Sequence, residues 1–360
     1  MDADGYPLGP QGTPRPKLTL RQPDEILAMQ FDDSDVILGD RLLAKGQSLV
    51  IAAQGGAGKS RLLLQFAADV VSGRKFLGFE TRGRDLRWLI LQIENSNRRL
   101  KDDFGRLKTW LGDDDWKRFN DQVTIHTIET DTDGFVSLDH PENIGNIETA
   151  IAGTRPDIIA VDPLGEFSIG DMNKDADMKA TLQALSGICR RGNPQRALIV
   201  LHHAITGRGG AVKVTGYDRS SFARNSKALH AWARGQINLA PVDEENNERL
   251  IVACGKCSNG KEFPAFAIRL NTETMIYESD PTVDVKEWEK MISGGSDREP
   301  LMTPDKVREL CKPGSTKAEL AKAIMEDCGC ARQSAYRYIA RASKKKKISL
   351  SKIDETYSPL

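Results

Sequence analysis

The 360-residue chain has no apolar run long enough to cross a membrane. Its opening, MDADGYPLGPQGTPRPK, lacks the basic-then-apolar layout of a secretory leader. A cytoplasmic protein with no membrane partner is therefore the expectation. Net charge is absent too: 51 basic and 51 acidic residues cancel. Affinity for a polyanion must then come from local patches. No internal repeat is visible, which argues against a solenoid. Cysteine is sparse, with six residues at 189, 254, 257, 311, 328 and 330. With no sign of secretion these are expected to stay reduced. Cys254 and Cys257 form a C-x-x-C, but no second pair sits at zinc-site spacing, so a structural role is expected for them.

What is present is a rhythm of short apolar runs. SLVIAA, RWLILQI, VTIHTI, IIAVD, ALIVLHH, QINLA, RLIVACG and FAIRL read as strands. Helix-length segments separate the first five. That alternation predicts an α/β fold with a largely parallel sheet. The last three strands lie close together and predict an antiparallel extension at one edge. Residues 1–22, rich in Pro and Gly, read as a disordered tail. Residues 23–290 read as the main domain, 291–302 as a linker and 303–360 as a small C-terminal domain.

The most specific stretch is LVIAAQGGAGKSRLLLQFAADVV, from Leu49 to Val71. A strand meets a glycine-rich turn, then Lys59-Ser60, then an amphipathic run. The G-x-x-x-x-G-K-[ST] frame holds except that Ala53 replaces the first glycine. Successive N–H groups in such a turn form an anion nest at a helix N-terminus. The candidate contacts are Gly55, Gly56, Ala57, Gly58, Lys59, Ser60 and Arg61. Lys59 is placed to reach the β- and γ-phosphates of ATP, and Ser60 to ligate Mg²⁺.

Polar residues end three further strands, where open α/β sheets gather their ligands. Asp162 closes IIAVD and is a candidate to hold Mg²⁺ through water. Glu94 follows WLILQI and is a candidate general base for the attacking water. Alternatively, it caps the helix begun by SNRRL. His202 and His203 end ALIVLHH, and either could sense a γ-phosphate.

GGAGKS, LQIEN, IIAVDPL, VLHH, SSFARNSKALHAW and CGKCSNG, in that order, resemble the RecA-type P-loop ATPase core. The likeness is strongest to the RepA-type hexameric replicative helicases of plasmids and phage-like elements, and runs from Ile37 to Leu270. It implies a ring-shaped homo-oligomer, ATP bound at subunit interfaces with Mg²⁺, and movement on single-stranded DNA. A primase or replication-initiation partner is a further implication. By resemblance Glu94 is the catalytic glutamate and His203 the sensor. The family's K-x-R-N-G motif, which reaches a neighbour's ATP, reads Lys256-Cys257-Ser258-Asn259-Gly260 here. Lys256 survives, but serine stands at the arginine position. The missing arginine is sought among Arg219, Arg224 and Lys227, with Arg224 favoured.

Two basic regions remain. ITGRGGAVKVTGYDRSSFAR carries Arg208, Lys213, Arg219 and Arg224 on a glycine-rich loop, suited to sequence-independent phosphate contact or to a solvated surface. Residues 303–347 hold 12 basic and 5 acidic residues. They read as three helices, with Ser315 or Thr316 capping the second, and resemble a winged helix. Its third helix offers Arg332, Arg337 and Arg341 to single- or double-stranded DNA. Three functions fit: a DNA-translocating ATPase and replicative helicase, a non-motor recombination, repair or loading ATPase, and a nucleotide-switched DNA-binding regulator.

Overall fold

A computed structural model describes residues 20–129, 134, 136–205, 207–216, 218–223, 227–243, 246–293, 302–328, 332–351 and 356–359. Contacts divide the chain into two units, one ending at Ile292 and the other beginning at Ser293. Most of the tail expected over 1–22 and of the linker expected over 291–302 lies outside the described residues.

The main sheet of the first unit has nine strands: β1 (Ser48–Ala53), β2 (Trp88–Gln92), β3 (Val123–Ile125), β4 (Ile158–Asp162), β5 (Ala197–His203), β6 (Gly235–Pro241), β7 (Arg249–Cys257), β8 (Phe266–Asn271) and β9 (Ile276–Ser279). Their order across the sheet is β9-β8-β7-β6-β1-β5-β4-β2-β3. Strands β1 to β6 pair only in parallel with one another. Strands β7 to β9 add on antiparallel. QINLA therefore closes the parallel part, and the antiparallel edge starts one strand later than its spacing suggested. Strand β9 was not legible as a strand.

Both faces of this sheet are covered, which is why its central strands read as unbroken apolar runs. Side chains alternate between faces along each strand. Leu49, Ile51 and Ala53 join one core with Phe66, Phe76 and Trp88; Val50 and Ala52 join the other with Leu182 and Leu185. Helices α1 (Lys59–Ser72), α2 (Asn97–Leu111) and α3 (Asp113–Gln122) give buried side chains to the first core. Helices α4 (Pro141–Thr154), α5 (Asp175–Arg190) and α6 (Val285–Ile292) give theirs to the second. Phe66 anchors the first, its ring 4.7 Å from Phe76 and 5.4 Å, edge-on, from Trp88. Truncating a ring packed like this costs about 3–5 kcal/mol.

The second unit has its own core, with Val307, Leu320, Ile324 and Ile339 at its centre. Helices α7 (Pro304–Leu310), α8 (Lys317–Cys328) and α9 (Arg332–Lys344) accompany strands β10 (Ser315–Thr316), β11 (Ile348–Leu350) and β12 (Thr356–Pro359). The strands pair antiparallel in the order β10-β12-β11. Thr316 supplies the cap of α8: its hydroxyl accepts from the Glu319 amide at 3.3 Å, and Glu319 Oε2 accepts from the Thr316 amide at 2.8 Å. This is a reciprocal capping box.

Candidate functional site

The parallel strands fix the site's location. Strands β1, β2, β4 and β5 run the same way, so their carboxyl ends meet on one edge. There the chain turns from Ala53 into a glycine loop and enters α1 at Lys59. Gly56 and Gly58 take positive φ angles of 74° and 79°, a region open to glycine and costly for other residues. A Cβ on Gly58 would lie 1.8 Å from the Tyr277 hydroxyl. Close approach as well as backbone angle therefore requires glycine there.

Five sequence candidates come together at this edge. The Lys59 ammonium, buried with its residue 5% exposed, donates to the Gln54 carbonyl at 3.1 Å and the Ala53 carbonyl at 3.4 Å. It also lies 3.4 Å from His203 Nδ1. His203 Nε2 in turn lies 3.5 Å from Glu94 Oε1. An ammonium only donates, so Nδ1 accepts from Lys59, and Nε2–H faces Glu94. Lysine, imidazole and carboxylate thus stand in a row. His203 is the histidine that faces this edge chemistry; His202 is buried.

Asp162 and Ser60 make the second part. The Ser60 hydroxyl hydrogen-bonds the Asp162 carboxylate. Asp162 is 1% exposed, and its Oδ1 has no hydrogen-bond partner. Burial pushes this acid up to about 6; Ser60 works against that shift and the Glu94 charge adds to it. Burial lowers the Lys59 ammonium, while Asp162 and Glu94 support its charge. A buried carboxylate with an unused oxygen, beside a hydroxyl, is a donor set that fits a hard, oxygen-seeking cation such as Mg²⁺.

Glu94 is not the cap of α2. Ser96 holds that position, accepting from the Arg99 amide at 3.4 Å. Glu94 is thereby left for the site. Arg61 points to α2, where Asp103 lies 3.6 Å from its Nε and 3.6 Å from Arg99 Nε.

Other candidates lie elsewhere. Lys256 pairs across the sheet with Gln236, which pairs with Val50, near the start of β1. It therefore sits roughly 10 Å along the strands from the phosphate-loop edge. Its ammonium donates to the His230 carbonyl at 2.7 Å. Arg224 lies outside the described residues, as does Cys330. The 204–223 excursion is less loose than its glycines suggested. Ala204 bridges Ala223, and Val214 and Phe222 are fully buried. Lys213 is half-buried there, Arg208 starts a short helix over 208–211, and Arg219 is 2.6 Å from Glu262. On α9, Arg332, Arg337 and Arg341 are exposed. Cys254 and Cys257 are free thiols, and among the described residues no cluster of metal-ligating side chains of three or more appears.

Sequence reasoning missed Tyr277, Gln65, Asp103 and Arg99. Tyr277 arrives on β9, and Gln65 of α1 clamps it. Gln65 Nε2 donates to the Tyr277 carbonyl at 3.0 Å, and Gln65 Oε1 accepts from its amide at 2.8 Å.

The family model described as "AAA domain" matches residues 16–209. No curated protein matches the chain. Among solved structures it is similar to a KaiC-like protein from the hyperthermophilic archaeon Pyrococcus horikoshii OT3, at 12% identity and a TM-score of 0.43, covering 66% of this chain and 91% of that one. It is also similar to a second solved structure, an isolated ATPase domain, at 15% identity and a TM-score of 0.44, covering 66% of this chain and 86% of that domain.

Proposed function

The chain belongs to the AAA domain family, and from that premise we propose that it is an ATP hydrolase that works on DNA, as a replicative helicase of a plasmid or phage-like element. The observation that carries the ATPase reading is the convergence of Lys59, Ser60, Asp162, Glu94 and His203 on one sheet edge beside the glycine loop. The helicase reading rests on the ordered motifs of the sequence.

In this mechanism the amides of residues 55–60 hold the phosphates. Lys59, released from its carbonyl tethers, neutralises the charge that builds on the transferring group. Ser60 and Asp162 would hold Mg²⁺, which supplies charge neutralisation at the phosphates. Glu94 takes the proton of the attacking water. His203 lies between Glu94 and Lys59, so protonation at one end is felt at the other. Lys256, set back along the strands from its own phosphate loop, serves in this reading the loop of a neighbouring copy in a ring, hexameric by resemblance. Arg224 is the proposed neighbour-donated arginine.

DNA contact is assigned to Arg208, Lys213 and Arg219 on the 204–223 excursion, where phosphate recognition needs no sequence readout. Arg332, Arg337 and Arg341 on α9 make a second contact in a winged-helix domain. A primase or initiation factor is the proposed protein partner, and the cytoplasm the proposed location. Serine at position 258 favours a second reading, a nucleotide-switched DNA-binding regulator with slow turnover. Glu94→Gln tests the chemistry. It is expected to bind ATP and lose at least about a hundredfold in turnover; hydrolysis at the normal rate would remove Glu94 from its role.

A further inference from the structure

Strand β6 is apolar except for two amides. Gln236 and Asn238 are fully buried, two residues apart and so on one face of the sheet. Asn238 Nδ2 donates to the Val214 carbonyl at 3.1 Å and to the Arg219 carbonyl at 2.9 Å. Gln236 Nε2 donates to Asn238 Oδ1 at 2.8 Å. The excursion over 204–223 is thus pinned to the sheet by its backbone. Gln236 Oε1 lies 3.4 Å from His230 Nδ1; an amide oxygen only accepts, so Nδ1 carries the proton. His230 belongs to the short helix Lys227–Trp232, and its carbonyl accepts from the Lys256 ammonium at 2.7 Å. A row of contacts therefore runs from Lys256 through His230, Gln236 and Asn238 to the excursion.

The neighbouring strand is shaped to admit the amide pair. Strand β7 carries one extra residue, Gly255, opposite the step from Gln236 to Ile237, which makes a β-bulge. A Cβ on Gly255 would lie 2.7 Å from both Gln236 Nε2 and Asn238 Oδ1, so the bulge needs glycine. Lys256 is the next residue, and one local feature sets both the lysine and the amides. Burying two amides costs desolvation that an apolar pair would avoid. Fully hydrogen-bonded, they add direction: they fix where the carbonyls of Val214 and Arg219 sit, which apolar contact alone does not.

We propose that Gln236 and Asn238 are positioning residues through which Lys256 sets the place of the 204–223 excursion. In functional terms this link rests on the roles proposed above for Lys256 toward a neighbouring copy and for the excursion toward DNA. When Lys256 turns to a neighbour's phosphate it leaves the His230 carbonyl. The short helix loses that hold, His230 Nδ1 shifts against Gln236, and Asn238 carries the shift to the carbonyls of Val214 and Arg219. Lys213 and Arg219 then move together.

Hydrogen exchange of the full chain, read by mass spectrometry without nucleotide or DNA, tests the link. Lys256→Met removes the ammonium and leaves both amides in place. Exchange over 204–223 should quicken roughly fivefold, as for the loss of one hydrogen bond. Gln236→Met, near-isosteric, should quicken it similarly, and adding Lys256→Met to Gln236→Met should change nothing further. Unchanged exchange over β1, β4 and β5 shows that each variant is folded. Wild-type exchange over 204–223 in Lys256→Met, or two effects that simply add, would overturn the link; Lys256→Met decides alone if Gln236→Met does not fold. Fluorescence anisotropy with single-stranded oligothymidylate reads the functional half. Asn238→Ser keeps Lys213 and Arg219 but shortens the donor that holds their backbone, and should bind roughly tenfold more weakly. Binding equal to wild type would overturn the positioning role. No binding by wild type would remove the DNA reading itself and leave the exchange result standing.

Discussion

Asp162 shows how a buried carboxylate sets itself against stability. Its carboxyl holds a proton up to about pH 6 in the fold, against about 4 when unfolded. The folded state therefore binds that proton more tightly, so the cost is absent below about pH 4 and complete above about 6. Asp162→Asn removes it. We expect apo protein at pH 8 to gain about 1–3 kcal/mol in urea unfolding, the gain to vanish near pH 4, and ATP turnover to be lost. Gly58 makes a second point at this scale. Gly58→Ala should destabilise the nucleotide-free protein by more than the roughly 1 kcal/mol of positive-φ strain, because the Tyr277 hydroxyl occupies the new methyl's place. In a Tyr277→Phe background the excess should shrink, a coupling that a double-mutant cycle reads directly. Asp162, Glu94 and His203 were legible in sequence because each follows an apolar run at a strand end. Tyr277, Asp103 and Arg99 were not, because their relevance depends on which elements meet in space.

At the scale of elements, α1 ties the phosphate loop to the edge of the sheet. Its first turn carries the phosphate-loop lysine and serine, and one turn on, Gln65 captures the backbone of the edge strand β9. An edge strand otherwise presents open N–H and C=O groups; a glutamine side chain satisfies two of them here. Gln65→Leu should cost roughly 2–3 kcal/mol, about 1 per hydrogen bond plus desolvation of the freed groups. The Tyr277 amide should then exchange hydrogen faster, measured by NMR or mass spectrometry. Strand β9 escaped sequence reading because four residues, Ile276 to Ser279, follow a tight turn with Met275 at a positive φ of 60°. A run that short carries too little period to separate strand from loop. The central strands posed no such difficulty, since burial on both faces makes them continuous apolar runs. The 204–223 excursion lay between these cases. Its glycines and basic residues suggested an open loop, and only packing reveals that Val214 and Phe222 anchor it.

At the scale of the whole molecule, two units with separate cores predict separable behaviour. A protein ending at Ile292 should fold and keep nucleotide binding. It should also bind DNA with a shallower salt dependence than the full chain, by about one logarithmic unit per lost phosphate contact from Arg332, Arg337 and Arg341. Fluorescence anisotropy across a salt series reads both slopes; identical slopes would remove α9 from the DNA interface. The proposed mechanism also draws on a second copy. Lys59, Ser60, Asp162, Glu94 and His203 converge within the chain, while Lys256 sits toward the far end of the sheet. Turnover on this account needs a neighbour, so specific activity should rise with protein concentration until assembly saturates.

The most direct measurement is steady-state ATP hydrolysis by the full chain, with and without single-stranded DNA, beside Lys59→Ala. The account predicts turnover that DNA stimulates and that Lys59→Ala abolishes. Tight ATP binding with no turnover in either condition would contradict it and make the phosphate loop a switch.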